Sequence, residues 1–280
     1  MKLLKTFILF LTITFFSFNT AFSEEYLIAS FNTLRLGQNK KDFTRMAQIL
    51  NNFPLIGLVE VMNQQGVEEL VDALEKESKE KWDYLISPYS VGTDSYQEFY
   101  AYVWKTSTVS LVEEVGFFND SSNLFIRPPF GATFKIENFD FTLVLMHSIF
   151  GKNKSYRKAE AFYLNEVYEY FQNLDANEND IIIAGDFNLT ANDKSFSPLT
   201  IKNKDKVIYA LDPTLLTTIG AKNLVNSYDN MFLSTIYTGE FTGVSGVYDF
   251  TNNHFEYSKK LISDHLPIFI EVSCGEKDDD

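Results

Sequence analysis

The chain has 280 residues, 45% of them hydrophobic and 16% aromatic, with a formal net charge of −14 and one cysteine. A balance of 24 basic against 38 acidic side chains excludes a basic coat that binds nucleic acid by bulk electrostatics. It does not exclude an enzyme that recruits cations to neutralise phosphate locally. The lone cysteine, Cys274, leaves no internal disulfide, so stability must come from a core that 27 Phe and 15 Tyr can supply.

At the N-terminus Lys2 and Lys5 precede an apolar run from about Phe7 to Phe18, followed by Ala21-Phe22-Ser23. Charge, a short apolar core and then small residues predict a secretory signal peptide over residues 1–23, cleaved after Ser23. Interrupted by Thr12, Thr14 and Ser17, the run falls short of the roughly 17–25 apolar residues that a membrane span needs. A secreted or periplasmic location is expected, without stable membrane insertion, and losing the two lysines takes the charge from −14 to −16.

Candidate strands follow at Tyr26–Phe31, Leu55–Val59, Phe99–Trp104, Ser110–Val115, Thr133–Ile136, Phe141–Met146, Ile181–Ala184, Met231–Ser234 and Leu266–Val272. Between them Phe43/Met46/Ala47/Leu50, Val67/Leu70/Val71/Leu74 and Leu164/Val167/Tyr168/Phe171 repeat the i, i+3, i+4, i+7 spacing of a helix with one buried stripe. No Pro/Gly/Ser-rich linker or repeat divides residues 24–273, which read as one α/β sandwich domain, expected to be a monomer. Residues 274–280 read as an acidic tail.

Several strands finish in residues suited to chemistry. Asn32, Glu60, His147, and Asp186 with Asn188 follow or end four of them; Asp229 and the pair Asp264-His265 precede two others. If those two run antiparallel to the rest, one rim of the sheets carries every candidate. Singly each signal is weak, since Gly185-Asp186-Phe187-Asn188 suits a strand-to-loop turn and Ser263-Asp264-His265-Leu266-Pro267 a capped turn. Of three histidines, however, two fall inside these clusters.

In this order the motifs resemble the endonuclease/exonuclease/phosphatase superfamily. They are Ser30-Phe31-Asn32-Thr33, Gly57-Leu58-Val59-Glu60-Val61, Met146-His147, Gly185-Asp186-Phe187-Asn188, Tyr228-Asp229 and Ser263-Asp264-His265-Leu266-Pro267. Ser95-Tyr96-Gln97-Glu98-Phe99-Tyr100 and Phe125-Ile126-Arg127-Pro128 point to its deoxyribonuclease I-like branch. The resemblance, over residues 26–272, implies a four-layer α/β sandwich: two packed mixed β-sheets flanked by helices.

A phosphodiester repels nucleophiles, so a hard cation on oxygen ligands must neutralise charge in the transition state. The resemblance implies Glu60 as first ligand, with Asn32, Asp186 and Asp264. The absence of a His-Glu-x-x-His helix or a cysteine cluster favours Mg²⁺ or Mn²⁺ over zinc, with structural Ca²⁺ as an additional expectation. His265, with an unperturbed pKa of about 6.5, suits a general base. By resemblance Asp229 orients it, Glu98 and His147 form a second pair that holds the phosphate and protonates the leaving oxygen, and Asn188 positions water or a phosphate oxygen. Whether Asp186 or His265 is the base stays open. Tyr96 and Arg127 resemble DNA minor-groove contacts; their alternatives are a loop aromatic and an ion pair with Glu98.

Three departures stand out. The branch's disulfide after Gly-Asp-Phe-Asn has no counterpart in Leu189–Asp193, so packing or an ion must hold that loop. Arg127-Pro128-Pro129 replaces the usual Arg-Glu-Pro. Asn188-Leu189-Thr190 is a glycosylation sequon on a candidate catalytic residue, which favours a bacterial-type export route. The expected function is a secreted metal-dependent DNA endonuclease. A phospholipid-directed relative, sphingomyelinase-like or phosphoinositide phosphatase-like, is the alternative, with Phe117-Phe118 and Ile149-Phe150 as candidate membrane contacts. A non-catalytic cation-binding module is the third reading.

Overall fold

Each candidate strand and helical stripe between Tyr26 and Val272 overlaps a strand or helix in the computed structural model, which describes residues 24–174 and 178–275. In chain order the elements begin β1 (Glu24–Leu36), α1 (Phe43–Leu50), β2 (Leu55–Val61), α2 (Gln64–Ser78), β3 (Trp82–Ile86), β4 (Val91–Thr93), β5 (Tyr96–Lys105) and β6 (Val109–Phe117). They continue with β7 (Phe130–Ile136), β8 (Phe139–His147), α3 (Lys154–Gln172), β9 (Ile181–Asp186), β10 (Val207–Tyr209), β11 (Asp229–Ser234), β12 (Phe241–Val247), α4 (Phe255–Leu261) and β13 (Ile268–Cys274). The predicted signal peptide lies outside the described residues, as do residues 276–280 of the predicted tail.

One sheet has the order β12-β13-β1-β2-β5-β3, with β4 also paired to β5; the other runs β10-β11-β9-β8-β7-β6. Both are mixed, because β1 with β2 and β8 with β9 are parallel while their neighbours are antiparallel. Alternate residues of the two sheets meet in a central core that includes Tyr100, Tyr102, Phe130, Phe134, Leu143 and Leu145. The outer face of the first sheet packs on α1 and α2 through Met46, Leu50, Leu70 and Leu74, and that of the second on α3 through Leu164, Tyr168 and Phe171. This is the expected four-layer sandwich. Approach of the sheets is close enough that a Cβ on Gly57 would strike Leu145.

Asp42, Asn63 and Asn153 cap α1, α2 and α3 by accepting Arg45, Gly66 and Ser155 N–H groups. Tyr102 of β5 sends its buried hydroxyl across the central core to the carbonyls of Phe130 (2.7 Å) and Leu143 (2.8 Å).

The sequence did not reveal β3, β4, β10, β12 or α4. Two of these strands have three residues, β12 contains two glycines and is largely exposed, and α4 buries only Ser258. Two boundaries also move. The last strand starts at Ile268, after Pro267, which has no N–H to give a ladder. Cys274, read as the start of the tail, is instead the buried final residue of β13, opposite Glu24.

Without a disulfide, the loop after Asn188 is held by burying Leu189, Ala191, Phe196 and Leu199 under α3. An ion pair from Lys158 to Asp193 (3.1 Å) assists. Phe196 packs on Phe187 and Phe232 with ring centroids 5.7 and 5.0 Å apart.

Candidate active site

The strand directions deliver the convergence that the sequence implied. β8 and β9 run parallel and end side by side with His147 opposite Asp186; β11 runs back against β9 and begins with Asp229 opposite the same Asp186. In the first sheet β13 is antiparallel to β1, so Asp264 and His265, just before it, come to the Asn32 end. Glu60, near the end of β2, and Glu98, near the start of the antiparallel β5, reach the same rim. The rim encloses a cleft of about 360 Å³ whose lining includes Glu60, His147, Asp186, Asn188, Asp264 and His265. Backbone strain gathers here, since Glu60 and Asn188 both have positive φ, 58° and 51°. Gly185 at φ 148° lets β9 pass β8 where a Cβ would collide with the Met146 carbonyl.

Two carboxylate–histidine pairs face each other across the cleft. Glu98 Oε1 lies 2.6 Å from His147 Nδ1, and Asp229 Oδ2 lies 2.8 Å from His265 Nδ1. An ionised carboxylate only accepts, so each Nδ1 donates and each Nε2 is left for chemistry. Both Nε2 atoms converge on Asp186 Oδ2, at 3.6 Å from His147 and 3.5 Å from His265.

Burial opposes a charge on His265, but Asp229 and Asp186 outweigh it and push its pKa up to about 10. For His147 burial also works against the cation, yet Glu98 prevails and the pKa is raised. Burial alone would raise Glu98, whereas His147 and Arg127 hold it below the usual range. Asp186 goes the other way, lifted by burial and by the charge of Asp229 despite its two histidines.

A raised, buried carboxylate is a group that a cation would relieve. Asn32 Nδ2 donates to both Glu60 Oε1 and Asp186 Oδ2, at 3.1 Å each, which draws two hard oxygen donors to one point. Asn32 Oδ1 accepts the Leu34 N–H. Asn32, expected as a ligand, therefore presents its nitrogen to the carboxylates and holds them together. Asp186, Asp229 and His265 also bring possible ligand atoms within 4.8 Å of one another. Asp229, however, is engaged by His265 and by the Thr217 hydroxyl at 2.6 Å, so Glu60 and Asp186 form the better oxygen pair for a hard divalent cation. Asp264 also lines the cleft.

Asn188 is 4% exposed and gives one amide N–H to the Ser148 carbonyl, leaving its second for the cleft. A glycan has no room on so buried an amide. Arg127 is buried, with Nε 3.2 Å from Glu98 Oε2 and Nη1 donating to the His147 carbonyl. The ion-pair alternative thus describes Arg127 as it stands, in place of an exposed groove contact. Tyr96 is half-buried, its ring flanked by Arg127 at 5.4 Å and by the exposed Arg35 at 5.1 Å. Phe117 and Phe118, candidate membrane contacts, pack instead into the two cores, while Phe150 is 67% exposed at the cleft.

Sequence reasoning missed Thr217, Ser263, Lys41 and Arg35. Ser263 donates to the Asn32 carbonyl and accepts the His265 N–H, fastening one motif to the other. Lys41 is buried and donates to the carbonyls of Thr33, Leu34 and Ile262; burial lowers its pKa to about 8. Ser263 lay inside a quoted motif. The other three carry no local signal, because their partners are backbone carbonyls, a carboxylate and a ring outside their own segments.

No protein-family model matches the chain. It is 27% identical to a deoxyribonuclease of Thioalkalivibrio sp. over 87% of its length and 70% of that protein's. To deoxyribonuclease-1-like 1 of Cricetulus griseus it is 24% identical, over 90% of this chain and 85% of that one. Among solved structures, a mannosyl-6-phosphatase of Bacteroides thetaiotaomicron superposes with a TM-score of 0.61 at 17% identity, covering 89% of this chain and 100% of the other. With two packed mixed sheets, helices outside and these sequence relatives, the chain has the fold of the endonuclease/exonuclease/phosphatase superfamily and resembles its deoxyribonuclease I-like branch.

Proposed function

We propose that this protein is an exported, divalent-metal-dependent nuclease that hydrolyses phosphodiester bonds of DNA. The observation that carries the reading is the pair of carboxylate-anchored histidines whose free Nε2 atoms converge on one carboxylate oxygen in a single cleft. Relatives named deoxyribonuclease over about nine tenths of the chain support a hydrolase of phosphodiesters and favour DNA among its substrates. The N-terminal signal pattern supports export.

In this mechanism the neutral form of His265, favoured when a cation offsets the Asp186 charge that otherwise raises its pKa, is oriented by Asp229 and removes a proton from the water that attacks phosphorus in line with the departing oxygen. His147, held by Glu98 and charged, gives its proton to the leaving 3′-oxygen as the P–O bond breaks. The second amide N–H of Asn188 steadies a non-bridging oxygen. Glu60 and Asp186 would hold the cation, Mg²⁺ or Mn²⁺ by their oxygen chemistry, with Asp264 beside them; when bound it offsets negative charge on the phosphate oxygens. Tyr96, beside Arg35, would lie against a sugar or base edge. The lipid-directed alternative loses Phe117-Phe118 to core packing and keeps one exposed aromatic, Phe150, from its candidate contacts, too little for a membrane face.

The deciding experiment is plasmid nicking with Mg²⁺, with and without EDTA, run beside sphingomyelin and phosphoinositide hydrolysis. Nicking that EDTA abolishes is the expected result. Hydrolysis of either lipid with intact plasmid would overturn the DNA assignment.

A further inference from the structure

The mature chain is strongly acidic, yet one wall of the cleft is not. Lys259 of α4 lines the catalytic cleft together with Asp264 and His265. The same lysine, with Ala221, Glu256 and Lys260, lines a neighbouring depression of about 490 Å³. That one shares Ala221, Glu256 and Lys260 with a larger depression of about 930 Å³, whose rim adds Lys40 and Lys222. Shared lining residues make a continuous channel, from the catalytic histidine over α4 to the turn after β1.

Four lysines stand along this channel, and none has a carboxylate within 4.0 Å among the described ion pairs. Lys40, Lys222 and Lys260 are exposed and Lys259 half-buried. Glu256 is the one acidic side chain lining the two depressions over α4. Ammonium groups in a row repel one another, and a ligand with repeated negative charge suits them together better than separate counterions do. Lysine is a flexible point charge suited to phosphates met at variable geometry, and not to the planar reading of one group. A nucleic-acid strand presents one charge about every 3.4 Å along the duplex axis, and such contacts carry sequence-independent affinity. The catalytic cleft itself is walled by Glu60, Asp186 and Asp264, whose charge a bound cation would offset only at the scissile phosphate, so attraction for the rest of the strand comes from beside the cleft.

We infer that the channel of Lys259, Lys260, Lys222 and Lys40 holds the backbone phosphates of DNA on the His265 side of the scissile bond. The inference rests on the nuclease reading and adds to it a direction: the strand leaves the centre over α4. It also makes this wall, and not net charge, the source of substrate attraction in an acidic protein.

The test uses the full chain carrying His265→Ala, which binds without cutting, with and without the triple change Lys40→Gln, Lys222→Gln and Lys260→Gln. Binding of a fluorescein-labelled duplex is followed by anisotropy across a salt series. The triple change is expected to weaken binding about tenfold or more at low salt and to flatten the slope of log K against log salt by about 0.9 for each lost phosphate contact. Glu256→Gln should tighten binding. All four positions are largely exposed, so thermal denaturation should be unaltered and the comparison remains one of folded proteins. Unchanged affinity and slope, with the native chain nicking plasmid, would overturn the channel while leaving the nuclease reading intact. No duplex binding by His265→Ala and no nicking by the native chain would overturn both. Loss of binding to phosphatidylserine vesicles, with duplex binding untouched, would reassign the wall to a membrane surface.

Discussion

The two carboxylate–histidine pairs are built in opposite senses, and their surroundings separate their duties. Glu98 belongs to the first sheet and reaches His147 in the second; Asp229 belongs to the second and reaches His265 beside the first. Glu98 is fully buried and divides its charge between His147 and Arg127. Asp229 faces His265 and the neutral Thr217 hydroxyl, so its charge goes to one imidazole. A carboxylate shared between two cations is part of the scaffold as well as of the chemistry; one devoted to a single ring serves chiefly to orient it. The same motif, repeated, therefore teaches two different lessons about what its loss would do.

The largest effects should come from the histidines. His265→Ala and His147→Ala should each lower kcat on DNA by about 10²–10⁴, the usual reach of general acid–base catalysis, with the fold retained by circular dichroism. Wild-type turnover in either variant would dissolve the pairing. Next come the carboxylates, where the contrast sharpens. Glu98→Gln leaves Arg127 as a buried, uncompensated charge and should cost about 3–5 kcal/mol in denaturant unfolding as well as activity. Asp229→Asn should lose activity with a much smaller stability change. Equal stability losses would make the two pairs equivalent.

A further effect concerns pH. The folded pKa of His265, about 10, lies above its unfolded value near 6.5. Its contribution is therefore fully present below pH 6.5 and is lost as pH rises through about 10. In EDTA the melting temperature should fall across that window, and Asp229→Asn should flatten the fall. An identical slope in the variant would show that Asp229 does not hold the proton. Least of all, Lys158→Ala breaks an exposed ion pair and should change stability by about 0–1 kcal/mol, because burial of Phe196 and Leu199 carries that loop. A reductant should change nothing, since a single cysteine leaves no internal disulfide to reduce.

Much of the centre was legible because its residues sit inside short motifs at strand ends, where period-2 patterning stops and Asn32, Glu60, His147 or Asp186 interrupts it. The catalytic rim could be inferred once two strands were allowed to run backwards. The supports were not legible. Thr217 acts through Asp229, and Lys41 through carbonyls up to 221 positions away, so neither leaves a pattern in its own neighbourhood. Arg127 was visible as a cation but not as a buried one, because burial is decided by β5 and β8 closing around it. The short edge strands failed for a different reason: three residues such as Val207–Tyr209 cannot display a period.

The pairing of β1 with β13, which sets Glu24 against Cys274 and Ser30 against Ile268, has a consequence in time. Asn32 is made long before His265, and the sheet that unites them cannot close until both flanking strands exist. Contacts of such long sequence separation are slow to form and come after local structure. Helices and hairpins of the middle can assemble on a growing chain, but the candidate active site cannot. A polypeptide still short of β13 thus lacks the assembled site, whatever else of it has already folded.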